Sequence, residues 1–313
     1  MRPEAPVVVV AGPTGSGKSE LAMALARRLG GEIIGCDSVQ VYRYFNIGSA
    51  KVSEGERAVV RHHLLDVAEP DEEYTAGDYA RQARAALEEI SGRGRLPVVV
   101  GGTGFYLSAL LEGLFEGPAR DEGLRERLAE RERKRPGSLH RILGRLDPEA
   151  AMRIHANDVQ KLIRAMEVTL VGGRPMTEQL REGRERLSGY RVLKLGLNPE
   201  REKLYLRLEE RAARMFERGL VEETRAILEK GYGEECKPLQ SLGYLQAMGV
   251  IRGELNVEEA VAETAKQTRR YAKRQWTWFR RDEEFEWLEG FGEEEAVQRK
   301  AEGKAERFLG VKQ

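Results

Sequence analysis

Apolar positions come in two rhythms along the first half of the chain. Residues 6–10 form an uninterrupted apolar run, VVVV behind Pro6, which reads as a short buried strand. From Glu20 to Leu29 the period lengthens, with Leu21, Leu25 and Leu29 at i, i+4 and i+8, and Gly30-Gly31 closes the predicted helix. EIIGCD at 32–37 reads as a second strand that ends on an acid. A helix around 76–90, a third strand in LPVVV at 96–100, a GGTG turn and the helical FYLSALLEGL follow. Strand alternating with helix predicts an α/β fold, a P-loop core with a parallel sheet flanked by helices.

After Gly117-Pro118 the pattern changes. From about 118 to 189 the sequence is charged and helical with no convincing strand, and RVLKLGL at 191–197 then reads as a strand rejoining the sheet. The expected organisation is therefore a core of residues 1–117 and 190–313, ending in helices, with an all-helical insertion domain at 118–189. In NDVQKLIRAMEVTLVGG, Val159, Leu162, Ile163, Met166 and Leu170 make one apolar face, capped in front by Asn157 or Asp158 and ended by Gly172-Gly173. Gln160, Lys161 and Arg164 fall on the other side.

The turn between the first strand and helix is GPTGSGKS. Gly12, Gly17, Lys18 and Ser19 fit the phosphate-loop pattern, in the strand–turn–helix setting that it requires. Backbone N–H groups from Gly15 to Ser19 can wrap phosphate oxygens, Lys18 adds a full charge, and the Ser19 hydroxyl can ligate Mg²⁺. The loop specifies a di- or triphosphate, not what is attached to it. A phosphoryl-transfer enzyme usually places an acid at the end of another buried strand. Here LPVVV ends in Gly101-Gly102-Thr103-Gly104, and Asp66 in HHLLDV is a weak substitute.

Asp37 ends the second strand. C-terminal strand ends share one edge of a parallel sheet, so Asp37 should lie near the loop. It either caps a turn or acts as a carboxylate beside the phosphates. Thr103 divides the same way, between the N-cap of the next helix and a hydroxyl in the cleft. Adjacent residues point apart, so His62 and His63 read as structural, and Cys36 as packing.

Charge narrows the partners. Lys plus Arg and Asp plus Glu are each 52, so the net charge is zero, which argues against indiscriminate coating of nucleic acid. A local exception runs from 264 to 281, which holds no acid; TRRYAKRQWTWFRR there carries six basic residues and four aromatics. Ala272, Trp276 and Phe279 make a core-facing stripe, leaving Arg269, Arg270, Lys273 and Arg274 as a basic ridge suited to phosphates. Two cysteines form no framework, the four histidines lack metal-ligand spacing, and no run approaches the roughly 20 apolar residues of a membrane span. A cytoplasmic monomer is expected.

Taken together, GPTGSGKS, DSVQVY, GSAK at 48–51, HHLLDV, PVVVGGTGFYL, NDVQKLIRAMEV, RLEERAARMFERGLVEE, QSLGY at 240–244 and YAKRQWTWFR resemble the tRNA dimethylallyltransferases, bacterial type. The blocks run in that family's order from about residue 8 to 288. The resemblance implies transfer of a dimethylallyl group from dimethylallyl diphosphate to the exocyclic amine of the adenosine 3′ of the anticodon in tRNA. It assigns Gly12, Pro13, Thr14, Gly15, Ser16, Gly17, Lys18 and Ser19 to the diphosphate, with Mg²⁺ on Ser19. Asp37 becomes the base, with Thr103 and Arg211 at the reacting end. Asp37, Ser38, Val39 and Gln40, then Gln160, Lys161 and Arg164, then Gln240, Ser241, Gly243 and Tyr244 would grip the tRNA anticodon stem-loop. Lys161 stands where the family usually has Arg, and GSAK replaces the usual GTAK while keeping the hydroxyl. A P-loop small-molecule or nucleoside kinase is the runner-up; a non-catalytic RNA-binding protein with a decayed phosphate loop is a third reading.

Overall fold

The computed structural model describes residues 4–310 except 116, 119, 182 and 184. Six strands form one sheet: β1 (Ala5–Ala11), β2 (Gly31–Cys36), β3 (His62–His63), β4 (Leu96–Gly101), β5 (Tyr190–Asn198) and β6 (Phe285–Glu289). The order across the sheet is β3-β2-β4-β1-β5-β6, and every pairing is parallel. β1 is central, with Val8 opposite both Val98 and Leu193. That placement explains its unbroken apolar run, since Val7 to Val10 have both faces covered.

Helices α1 (Lys18–Leu29), α2 (Glu54–Val59), α3 (Ala76–Gly92) and α4 (Gly104–Glu112) connect the first strands. α1 buries Leu21 and Leu25 and stops at Gly30, which sits in the left-handed region at φ 65°. After β5 come α10 (Arg201–Glu217), α11 (Leu220–Glu229), a 3₁₀ turn at Lys237–Gln240, α12 (Tyr244–Ile251), α13 (Val257–Phe279) and, past β6, α14 (Glu295–Leu309). Between α4 and β5 lie α5 (Glu122–Lys134), α6 (Ser138–Leu146), α7 (Pro148–Arg153), α8 (Val159–Gly172) and α9 (Met176–Arg181).

The chain forms two compact units, Met1–Leu111 with Leu187–Gln313, and Glu112–Arg186. The smaller begins at Glu112, ahead of the expected 118, because α4 carries the core on to its last turn. It has its own core of Leu128, Leu139, Leu143, Leu162, Ile163 and Met166. Glu167 is fully buried there, ionised by Arg164, Arg125 and the Asp121 amide, which hold its carboxyl below the usual range despite burial. Leu170, expected on the apolar face of α8, is 47% exposed in the last turn.

Two strands escaped the sequence pattern. β6 lies in the stretch expected to be mostly helical; FEWLE pairs with β5 from Lys194↔Phe285 to Asn198↔Glu289, and Lys194 anchors the edge by bonding Asp282 and Glu284. β3 is two residues long. His63 meets Glu32 at 2.8 Å and His62 meets the Val60 carbonyl at 2.7 Å, so both histidines make structural hydrogen bonds. Ala272, Trp276 and Phe279 are buried, as their spacing requires, whereas Trp278 is exposed.

Candidate active site

The carboxyl ends of β1, β2 and β4 open into a cavity of about 570 Å³. The phosphate loop forms one side. Gly17 has φ 83°, and a Cβ there would lie 2.2 Å from Glu293 Oε2 and 2.6 Å from the Gly292 amide nitrogen, so only glycine fits. The Gly292 amide donates to the Ser16 carbonyl at 2.9 Å and clamps the loop from beyond β6. From α13, Gln275 accepts the Thr14 amide at 2.7 Å and donates to the Gly102 carbonyl at 2.9 Å, tying the loop to the turn after β4.

Lys18 and Arg211 face this cavity, and neither makes an ion pair within 4 Å with a carboxylate of the described residues. Lys18 Nζ donates to the Pro13 carbonyl at 2.8 Å; burial first, then the charge of Arg211, lowers its pKa to about 8, with Asp37 and Glu20 pulling the other way. Burial likewise lowers Arg211, which rises from α10. Ser16 Oγ is fully buried and has no hydrogen-bond partner among the described residues. The opening amides of α1 have no intrahelical acceptor, as at any helix start. Such a set is completed by a bound anion.

Opposite, Asp37 closes a turn: its Oδ1 accepts the Val39 amide at 2.8 Å and the Gln40 amide at 3.1 Å. Capping and chemistry are thus not exclusive, because Oδ2 takes no hydrogen bond from the described residues. Thr103 Oγ1 accepts the Ser38 amide at 3.1 Å and so supports that turn, while its carbonyl accepts the Tyr106 and Leu107 amides of α4. Tyr271 lines the cavity beside them, its hydroxyl pushed up to about 12 by burial and by the Asp37 charge. Burial also raises the Cys36 thiol to about 12, which fits a packing role.

Thr14, Gly15, Gly17, Lys18, Ser19, Asp37, Ser38, Val39, Gln40, Arg211, Gln240 and Ser241 line the cavity together. Gly12, Pro13 and Ser16 form the floor of the loop behind its lining, and Thr103 meets the site through Ser38. Gly243 and Tyr244 are both buried, and the Tyr244 hydroxyl bonds Glu223 at 2.6 Å. Gln160, Lys161 and Arg164 belong to the smaller unit, where Lys161 pairs with Asp158 and Arg164 with Glu167. Asp66 is not available as a substitute acid either: Lys51 holds one carboxylate oxygen at 2.7 Å and Arg57 the other at 2.8 Å. Gln275 and Tyr271 were missed as site residues. Their spacing, i and i+4 on the flank of the core stripe of α13, was the signal available.

The oxygen donors beside the loop are the Ser19 hydroxyl and the carboxylates of Asp37 and Glu20. Among the described residues no three metal-binding side chains converge. That donor set fits a hard cation that arrives on an oxygen-rich ligand and keeps much of its water, and it does not form a preformed cage.

The IPP transferase family model matches residues 40–282. The chain belongs to this family. It is 58% identical to the tRNA dimethylallyltransferase of Solibacter usitatus over 97% of this chain and 99% of that protein. Against the tRNA dimethylallyltransferase of Koribacter versatilis it is 57% identical, over 92% and 94%. Among solved structures, the tRNA isopentenylpyrophosphate transferase of Bacillus halodurans superposes with a TM-score of 0.71 at 35% identity, covering 98% of this chain and 96% of that one. A eukaryotic dimethylallyltransferase acting on tRNA gives a TM-score of 0.80 at 27% identity over 98% and 80%. Family members are transferases, and among the described residues of this one no helix is long and apolar enough to cross a membrane.

Proposed function

We propose that this chain transfers the dimethylallyl group of dimethylallyl diphosphate to the N6 amine of the adenosine 3′ of the anticodon in tRNA, releasing diphosphate. One observation carries the reading. One cavity is lined by the phosphate loop, by Lys18 and Arg211, and by the Asp37 carboxylate, one oxygen of which takes no hydrogen bond from the described residues.

The chemistry follows from those groups. The N6 lone pair forms a bond to the allylic C1 as the C1–O bond breaks and its electron pair leaves with diphosphate. Adenine N6 is a weak nucleophile, since its lone pair is delocalised into the ring. Asp37 Oδ2 accepts the N6 proton, while the Oδ1 turn hydrogen bonds hold the carboxylate still. Lys18, Arg211 and the loop amides stabilise the charge that builds on the departing diphosphate. Mg²⁺ carried on the diphosphate, held by the Ser19 hydroxyl, would supply further neutralisation. Thr103 and Tyr271 keep the turn and the cleft wall in place. The adenosine has to leave its stack to reach Asp37. Ser38 to Gln40, with Gln240 and Ser241, would meet it in the cavity, and Gln160, Lys161 and Arg164 would contact the anticodon stem-loop from the insertion. A cytoplasmic monomer fits this role.

A kinase would need an acid after β4. Gly101 to Gly104 stand there, and Asp66 is locked in ion pairs. Labelled dimethylallyl diphosphate, Mg²⁺ and unmodified tRNA, with the product digested to nucleosides, test the proposal. Label on adenosine with the wild type, lost with Asp37→Ala, is expected. No label across a full tRNA pool would overturn it and send the question to ATP.

A further inference from the structure

GSAK and the GLVEE helix are the motifs whose residues the reaction above leaves unused. They meet at one carboxylate. Glu223, on α11, receives the backbone of a loop 176 residues earlier in the chain. The Ile47 amide donates to Oε1 at 2.9 Å and Oε2 at 3.0 Å, the Asn46 amide to Oε2 at 3.2 Å, and the Gly48 amide reaches Oε1 at 3.5 Å. Tyr244 completes the arrangement: its hydroxyl donates to Glu223 Oε1 at 2.6 Å and accepts the Gly48 amide at 3.1 Å. The ring lies where a Gly48 Cβ would be, 2.4 Å from Tyr244 Cε2. Three successive amides turned to one point form a concave anion site. Here the protein fills it from within, with charge-assisted hydrogen bonds.

The loop so held reaches the cavity. Its Ser49 and Ala50 carbonyls accept Gln40 Nε2 at 3.0 and 3.4 Å, and the Gln40 amide is one of the two donors on Asp37 Oδ1. Lys51, at the end of the same loop, bonds the Tyr42 carbonyl and Asp66, while the Asp66 amide donates to the Gln40 carbonyl. Gln40 is therefore fixed through its side chain by the loop and through its backbone by the Asp37 turn. Its Oε1 is left without a donor from the described residues.

We propose that Glu223 is a positioning residue for the acceptor nucleotide: through the 46–48 backbone it sets the carbonyls that orient Gln40 beside Asp37, with Tyr244 as its relay. This rests on the prenyl-transfer reading, and it assigns Glu223 to the tRNA half of the reaction and not to the diphosphate half. The carboxylate is the essential feature. A Gln at 223 would set an NH₂ group against amide donors and lose at least one of the charge-assisted bonds.

Steady-state transfer with separately varied tRNA and dimethylallyl diphosphate tests this in Glu223→Gln, together with amide hydrogen exchange over residues 44–51. Loss of a hydrogen bond to a charged group should raise KM for tRNA by about tenfold or more, leave KM for the diphosphate within about twofold, and speed exchange at 46–48 by about tenfold. Gln40→Ala added to Glu223→Gln should cost less than the product of the two single effects, because both break one connection. Tyr244→Phe, which removes a single hydroxyl, should show the same tRNA-specific pattern at about threefold and decides the matter should Glu223→Gln fail to fold. Unchanged KM for tRNA, an equal rise for both substrates, or fully multiplicative effects with Gln40→Ala would overturn the assignment. Absence of transfer by the wild type would instead remove the prenyl-transfer reading, and this assignment with it.

Discussion

The two walls of the cavity are built on opposite principles. The wall of the phosphate loop is electrostatically incomplete: Lys18 is lowered by burial and by the Arg211 charge, Arg211 is lowered by burial, and Ser16 Oγ lacks a partner among the described residues. The wall that carries Asp37 and Gln40 is held from within. Turn amides, the Lys51–Asp66–Arg57 ion pairs and the Glu223 carboxylate fix its backbone and side chains, leaving Asp37 Oδ2 and Gln40 Oε1 as the acceptors without a donor from the described residues. One side waits for an anion and the other is preorganised without a ligand. The difference suits a donor that brings its own charge and an acceptor base that arrives neutral and has to be oriented by shape and hydrogen bonds.

Substitutions should separate the two walls in a graded way. Asp37→Ala removes the carboxylate proposed to take the N6 proton and should lower kcat by about 10³-fold while leaving dimethylallyl diphosphate binding intact, which single-turnover assays and calorimetry would check. A matching loss of donor affinity would blur the division. Lys18→Met should lower kcat/KM for the diphosphate by about 10²-fold. Because it removes a cation that burial already disfavours, it should not lower the melting temperature; a clear drop would mean the loop wall is structural after all.

Asp66→Ala should do the reverse. It leaves Lys51, whose side chain is 1% exposed, without its carboxylate, and should lower stability by about 2 kcal/mol in urea titrations with little change in donor affinity. The smallest effect is pH dependence. With its pKa near 8 in the free protein, the Lys18 amine is charged below pH 8, and diphosphate binding then needs no further proton. Above pH 8 binding has to draw a proton onto Lys18, so affinity should fall by up to about tenfold per pH unit. Calorimetry between pH 7 and 9.5 in buffers of different ionisation heat reads both the slope and the proton; a flat profile would show that Lys18 is not part of the donor wall.

How far the molecule could be read in advance follows from how far apart its partners are in sequence. β1, the phosphate loop and α1 are contiguous, so apolar period and glycine spacing locate them. Asp37 was legible because parallel strands end on one edge. β6 was not, since five residues of mixed FEWLE behind a charged segment carry no period that separates strand from helix. Gln275 bonds Thr14 across 261 residues and Tyr244 bonds Gly48 across 196, and no local pattern encodes such distances.

The clamp on the phosphate loop also orders events in time. Residues 12–19 leave the ribosome well before Gln275 and Gly292, whose side chain and amide close their conformation. At about 5–20 residues per second, synthesis runs on for many seconds before that closure can form. The central β1–β5 pairing, with Ala5 beside Tyr190, has to wait as well. The phosphate loop is thus made well before the residues that close it, 261 positions separating Thr14 from Gln275. A chain clipped after Phe279 would keep the loop sequence but lose the Gly292 part of the clamp that shapes it.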